Sequence, residues 1–205
     1  MLEVKCACFG SLENNCYLIT DSKSGKSALV DCTEDSAKMR EFIGTSQLEY
    51  ILLTHGHYDH IEGVKGIKEL TGARVVISKN DEDMLSSSRK SLAVFVGQSH
   101  NSTDADLTVG EGDTIMLGES EIKVIETPGH TAGSICYICD GKLFSGDTLF
   151  FCSCGRTDFP TGSDAQMLQS LKRLALLDGD YVVYPGHDRQ STLDFERKNN
   201  PYMNR

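Results

Sequence analysis

Positive charge is in short supply along this chain of 205 residues: 20 Lys and Arg stand against 30 Asp and Glu, a net charge of −10. Nucleic acids and anionic membrane surfaces are gripped through a basic patch, so this balance excludes both as expected partners. It leaves room for a small anionic substrate, because bound cations reverse the local field. Long apolar runs are also missing, and no stretch approaches the roughly 20 apolar residues of a membrane span. The start, Met1 to Gly10, has no basic segment followed by an apolar one, as an export signal would. A cytoplasmic protein is expected. Eight cysteines without an export signal do not read as a disulfide framework. No internal repeat, linker or low-complexity run interrupts the chain, so residues 1–205 are expected to form a single domain with a sizeable core.

Histidine is scarce as well, with six in all, and its placement is informative. Three fall in Thr54-His55-Gly56-His57-Tyr58-Asp59-His60, directly after the apolar run Tyr50-Ile51-Leu52-Leu53. Such a run reads as a buried strand, which puts the cluster at a strand end. Imidazole and carboxylate suit zinc, iron or manganese. Four side chains from one tight turn cannot surround one ion, so the spacing points to two ions sharing a loop and drawing further ligands from elsewhere. His130 follows Ile122-Lys-Val-Ile125, Asp147 follows Lys142-Leu-Phe144, and His187 follows Tyr181-Val-Val183, each with a glycine immediately before it. Glycine there allows close backbone approach or a sharp bend at a strand end. His100, in the polar and serine-rich stretch 79–105, reads as a loop residue.

The remaining pattern predicts strands over 2–9, 14–20, 26–31, 49–53, 75–77, 107–109, 113–117, 121–126, 133–139, 142–145 and 181–184. Asp140-Gly141 marks a hairpin. Helices are predicted over 34–44, with Met39, Phe42 and Ile43 inward, and over 60–71, with Ile61, Val64 and Ile67 inward. Ser163-Asp-Ala-Gln166 reads as a capping box opening another helix, and a short helix is expected over 192–199. Cys136 and Cys139 have C-x-x-C spacing but lie in a predicted strand, where residues three apart face opposite ways; chelation is not expected. Cys152 and Cys154 follow Asp147 closely and are candidates for a role near the site.

The motif H-x-H-x-D-H, followed in order by Gly-His, Gly-Asp and a second Gly-His, resembles the metallo-β-lactamase superfamily over essentially the whole chain. Asn15-Cys-Tyr-Leu18, Thr127-Pro-Gly-His-Thr131, Ser145-Gly-Asp-Thr-Leu149, Gly155-Arg-Thr-Asp-Phe-Pro160 and Tyr184-Pro-Gly-His187 are most similar to glyoxalase II-related hydrolases in a short form. The resemblance implies a four-layer αββα sandwich with two divalent metal ions, zinc with iron or manganese as alternatives, at one edge. By position, His55, His57 and His130 would hold the first ion, Asp59, His60 and His187 the second, and Asp147 would bridge them. It also implies that Arg156 meets a substrate carboxylate, a task that suits a guanidinium fork. Two departures, Asp158 where the group has tyrosine and the missing C-terminal helical domain, point away from classical glutathione specificity.

Two nearby cations lower the pKa of a shared water and polarise a carbonyl. Asp59 is placed to bind one ion and to orient the resulting hydroxide. A thioester is the fitting substrate, because its thiolate, with a conjugate pKa near about 8.5, leaves without a strong general acid. The expected function is hydrolysis of a small-molecule thioester in the hydroxyacylglutathione hydrolase manner. A rival resemblance is to persulfide dioxygenases, which share the Gly155-Arg-Thr-Asp-Phe159 stretch and would use one iron at His55, His130 and Asp147. Lactone or β-lactam hydrolysis and a non-catalytic metal-binding domain are the remaining readings. Groups that bond the outer ring nitrogens should fix the histidine tautomers, with Thr131 and Asp188 as candidates.

Overall fold

The structure, a computed structural model, describes residues 1–98 and 102–204; His100 lies outside the described residues. The first sheet contains β1 (Leu2–Phe9), β2 (Asn14–Asp21), β3 (Lys26–Val30), β4 (Gln47–Leu52), β5 (Arg74–Ser78) and β6 (Leu107–Val109), in that spatial order. β1 to β3 are antiparallel, and β3 to β6 are parallel. Parallel neighbours need crossovers. These are supplied by α1 (Ala37–Ile43) between β3 and β4, and by α2 (Tyr58–Ile61) with α3 (Val64–Thr71) between β4 and β5.

The second sheet opens with the antiparallel strands β7 (Thr114–Leu117), β8 (Ser120–Glu126), β9 (Ile135–Cys139) and β10 (Lys142–Gly146). A small hairpin of β11 (Leu149–Phe150) and β12 (Ser153–Cys154) follows, then α4 (Asp164–Ala175). The chain returns as β13 (Val182–Pro185), parallel to β10, with β14 (Ser191–Thr192) outside it, and ends in α5 (Leu193–Asn199). No helix among the described residues is long and apolar enough to cross a membrane.

Strand alternation builds the layers. Tyr17, Ala28, Val30, Tyr50 and Leu52 of the first sheet pack on Val124, Ile135, Tyr137 and Phe144 of the second. Their neighbours Leu18, Leu29, Ile51 and Val75 face outward and are covered by Met39, Ile43, Val64 and Ile67 of α1 and α3. On the far side, Cys136, Leu143 and Val183 are covered by Met167, Leu171 and Leu174 of α4 and by Leu193. Strands apolar on both faces are what a sheet covered on both sides requires. The result is the expected αββα sandwich. Cys136 and Cys139 fall in different cores, as their spacing in a strand dictates.

The elements match the sequence expectation in most places and depart from it in a few. The Ser163 hydroxyl accepts from the Gln166 N–H, capping α4 as its sequence foretells. Asp140 and Gly141 both take positive φ in the β9–β10 turn, the geometry that primed hairpin turns need. The helix expected over 60–71 is instead two pieces, because the chain is tied to the segment after β3 in its middle. Cys32 N–H donates to His60 O at 2.8 Å, and Gly63 N–H to Cys32 O at 3.0 Å. A Cβ on Gly63 would lie 2.3 Å from the Glu34 carbonyl, so no larger residue fits that approach. The α1 helix starts later than 34, at Ala37, because Ser36 caps it through the Met39 N–H. The pairs β11–β12 and β13–β14 were not foreseen; two-residue strands carry no readable alternation.

The Gly63 contact generates an expected outcome. Gly63→Ala forces backbone displacement, an overpacking cost of about 1–3 kcal/mol. The urea midpoint should fall with an unchanged denaturant slope; an unaltered midpoint would show that the turn relaxes freely.

Candidate metal centre

Strand direction brings the ligand-type residues together. β8, β10 and β13 run parallel within the second sheet, so His130, Asp147 and His187 all emerge from the same edge. β4 delivers His55 and His57 on the loop beyond its end, and α2 carries Asp59 and His60. All seven side chains meet there. Three groups have ligand atoms within 4.8 Å of one another: His55, His57 and His130; His55, His60 and Asp147; and Asp59, His60 and His187. Asp147 spans the set, with Oδ2 at 3.5 Å from His130 Nε2 and Oδ1 at 3.5 Å from His60 Nε2. Its Oδ2 also lies 3.6 Å from His187 Nε2, and Asp59 Oδ2 lies 3.5 Å from the same nitrogen. Ligands about 2.1 Å from a tetrahedral ion stand roughly 3.4 Å apart, so these spacings fit shared cations. Gly186 makes the approach possible, since a Cβ there would sit 2.3 Å from Asp147 Oδ1.

The electrostatics favour cations. His55 Nε2, His57 Nε2 and Asp147 Oδ1 are buried without a hydrogen-bond partner, and an orphaned buried polar atom costs about 1–3 kcal/mol unless something satisfies it. Burial, with His130 beside it, lowers His57 to about 3. Burial and the neighbouring His60 push His55 well below its ordinary value. Both are therefore neutral imidazoles with lone pairs to offer. Burial opposes charge on His60, but Asp147, Asp59 and Asp31 outweigh it and raise this group to about 10. Burial likewise works against the Asp59 carboxylate, yet His60, His187 and Asn14 hold it well below the usual range. The second triad thus demands positive charge at its centre, which a divalent ion supplies.

The groups that orient these histidines differ from those expected. Asp31, at the end of β3, accepts from His60 Nδ1–H at 2.8 Å. The same carboxylate accepts from the Thr54 N–H and hydroxyl, each at 2.8 Å, and Thr54 Oγ1 lies 3.2 Å from His55 Nδ1. One carboxylate therefore fixes ligands in both triads. His130 Nδ1–H donates to the Arg156 carbonyl at 2.7 Å, and His187 Nδ1–H to the Leu12 carbonyl at 3.1 Å. Thr131 acts indirectly: its hydroxyl donates to Asp81 Oδ2, which also accepts from the Gly56 N–H. Asp81 so joins the loop bearing His57 to the loop bearing His130. Asp188 makes no hydrogen bond to the clustered histidines; its carbonyl instead accepts from Asn15 Nδ2 at 2.7 Å. Asn14 Nδ2 donates to Asp59 Oδ2 at 2.9 Å. Asp31 followed an apolar run, Ala28-Leu-Val30, and could have been found by the same strand-end signal as Asp147. Asp81 and Asn14 carried no such signal.

A cavity of about 650 Å³ opens over the cluster, with His57, Asp59, His130, Asp147 and His187 at its base. Arg156 lines it too, but its guanidinium is forked onto the Asp158 carboxylate at 2.7 Å and lies 3.9 Å from the Phe159 ring centre. Cys152 and Cys154 do not line it; the Cys152 N–H is held by Glu196.

Residues 10–187 match the family model of the metallo-beta-lactamase superfamily. An uncharacterized protein of Aquifex aeolicus is 34% identical over 197 residues, 94% of this chain and 93% of that protein. A protein of Rhodospirillum rubrum named hydroxyacylglutathione hydrolase is 36% identical over 180 residues, 86% of this chain. The match takes in 62% of that relative's own length, so this chain corresponds to part of it. Among solved structures, BLEG-1 B3 metallo-beta-lactamase superposes with a TM-score of 0.90 at 26% identity, covering 99% of each chain. TTHA1623 in a di-iron-bound form gives 0.86 at 29% identity, over 97% of this chain and 100% of the other. ETHE1 from Myxococcus xanthus gives 0.78 at 29% identity, over 97% and 83%. With its sandwich and its paired His/Asp clusters, the chain belongs to the metallo-beta-lactamase superfamily, as a metal-dependent hydrolase.

Proposed function

We propose that the protein is a thioester hydrolase of hydroxyacylglutathione (glyoxalase II) type, a single domain over residues 1–205 working on a small-molecule thioester in the cytoplasm. In this reading His55, His57 and His130 hold one divalent ion, and Asp59, His60 and His187 hold the other, with Asp147 shared. Zinc suits the nitrogen-rich first set, and iron or manganese are the alternatives. The observation that carries the reading is the position of Asp147, within 3.6 Å of histidines from both triads. The likeness to relatives named hydroxyacylglutathione hydrolase supports the substrate class. Bound cations would supply an acidified water and polarise the scissile carbonyl.

The chain's own residues do the positioning. His60, His187 and Asn14 hold the Asp59 carboxylate ionised at the cavity base, where it can orient an attacking water by accepting its hydrogen bond. Asp31 keeps His60 and His55 presenting their other ring nitrogens to the centre. Arg156 is proposed to face the substrate from the rim. The persulfide dioxygenase alternative needs only His55, His130 and Asp147, and the Gly155-Arg-Thr-Asp-Phe159 loop is the feature on its side.

Elemental analysis of protein purified without chelator should give about two ions per chain, with hydrolysis of thioesters lost on chelation and restored on resupply. One iron per chain, unchanged after resupply, with oxygen uptake on a persulfide, would favour the dioxygenase. Asp59→Ala should lose the second ion and lower turnover on the order of 100-fold or more with an unchanged fold by circular dichroism; full activity would defeat the two-ion mechanism. Asp31→Asn removes the negative charge and turns one accepting oxygen into an amide donor, so the Thr54 N–H and His60 Nδ1–H can no longer both be accepted. Affinity for the second ion should drop about 10–100-fold in chelator competition, and wild-type retention would strip Asp31 of this role.

A further inference from the structure

The chemistry of the cavity above the cluster narrows the substrate. Its walls are Leu12, Leu92, Phe95, Val96, Phe150 and Phe159. Three of these are unusually exposed for apolar side chains: Phe95 at 64%, Val96 at 51% and Leu12 at 50%. Phe95 and Val96 stand on a 3-10 turn, Ala93–Val96. The Ser91 carbonyl before that turn accepts from the Tyr58 N–H at 2.8 Å, so the turn is fixed to the helix that bears Asp59 and His60. The apolar wall is thus built into the site. An exposed apolar surface of this kind contributes binding energy only when a ligand covers it.

Charge in the cavity points the same way. Among the described residues lining it, Arg156 is the one Lys or Arg, and Asp158 already occupies its fork. A substrate carboxylate would have to displace that partner. Beside the cavity, and meeting it at Leu12, Tyr58 and Asp59, lies a second hollow of about 520 Å³. That one is polar, lined by Ser11, Asn14, Thr33, Glu34, Ser36 and Glu62 among others. Its carboxylates repel a polyanionic carrier, while its hydroxyls and amide suit a neutral polar one. The two hollows differ sharply in polarity and join at the catalytic carboxylate.

We infer that the site selects thioesters with an apolar acyl chain or ring, seated against Phe95, Val96, Phe150 and Phe159, and a short uncharged or cationic thiol carrier directed to the polar hollow. This inference rests on the thioester reading and deepens it. A small polar hydroxyacyl group would leave the wall wet. A glutathione carrier would place carboxylates against Glu34 and Glu62.

The test uses the metal-loaded protein and N-acetylcysteamine thioesters of acetyl, butanoyl, hexanoyl and octanoyl groups, with the lactoyl thioester beside them. Transfer of each methylene into an apolar site is worth about a four-fold gain in kcat/KM, so a steep rise is expected until the wall is covered, with lactoyl near acetyl. Phe95→Ser should flatten the rise several-fold, while Leu176→Ser, which alters an exposed leucine outside the cavity, should keep it. A flat or falling series, a preference for lactoyl, or an unaltered slope in Phe95→Ser would overturn the inference and leave thioester hydrolysis standing. A steep rise found instead with acetyl thioesters of longer alkane thiols would overturn the assignment of the wall to the acyl side. No hydrolysis of any member, with S-lactoylglutathione hydrolysed, would overturn this inference alone; no hydrolysis of either would overturn the thioester reading with it.

Discussion

The Ile135 N–H donates to the Thr54 carbonyl at 2.9 Å, and the Tyr137 hydroxyl to the Leu53 carbonyl at 2.9 Å. These bonds run from the second sheet to the end of β4, before any ligand side chain is considered. Across the same edge, Asn15 N–H donates to Gly186 O at 2.7 Å and the Tyr17 hydroxyl to Pro185 O at 2.6 Å, while within the second sheet Gly186 N–H donates to Gly146 O at 2.9 Å. Two sheets packed face to face usually stand about 10 Å apart, too far for side chains from both to share an ion closely. Here backbone and tyrosine hydroxyl hydrogen bonds at one edge tie the strand ends together, and the cluster forms at that closure. The glycines before His130, Asp147 and His187 belong to the same constraint.

Closure concentrates groups that resist burial. Five histidines and two aspartates converge, with His55, His57, His60, His130 and Asp147 buried, and Asp31 and Asp81 are buried beneath them. Such a site is costly without compensation. The fold offsets part of that cost by giving each carboxylate several donors: Asp31 takes three, and Asp81 takes Gly56 N–H, Gly133 N–H and the Thr131 hydroxyl. Left without a hydrogen-bond partner around the site are His55 Nε2, His57 Nε2, Asp147 Oδ1 and Asn14 Oδ1. The arrangement is therefore preorganised for cations by its own electrostatics, which is how metal affinity is coupled to the folded state.

Much of this was legible in the sequence for a definite reason. His55, His57, Asp59, His60, His130, Asp147 and His187 each follow an apolar run, and a strand end is where side chains can leave a sheet for a shared edge. All seven meet as their order implied. The layers were legible because two-sided burial makes runs such as Tyr50-Ile-Leu-Leu53 apolar throughout. The missing parts depend on contacts between segments distant in sequence. Nothing in residues 60–71 reveals that Cys32 will bond both sides of a break at Glu62-Gly63. Asp81 lies in a stretch that reads as polar and weakly patterned, yet it joins two ligand loops. Arg156 was legible as a cation near the site, but its capture by Asp158 and its stacking on Phe159 were not, because a pair two residues apart forms only when the loop turns it that way.

The protic groups around the cavity bear on which bond the site can break. Tyr58 is the one hydroxyl among the described residues lining it, and burial, with Asp59 and Glu62 nearby, raises its pKa further. A group held that firmly protonated is a weak acid at neutral pH. The cavity histidines are committed by geometry to the cluster, with His130 and His187 donating their outward N–H to backbone carbonyls. An amine or alkoxide must be protonated as it departs and would find no strong donor here. A thiolate departs unprotonated near neutral pH. The poverty of acids thus favours a substrate whose leaving group needs no proton, and thioesters meet that condition.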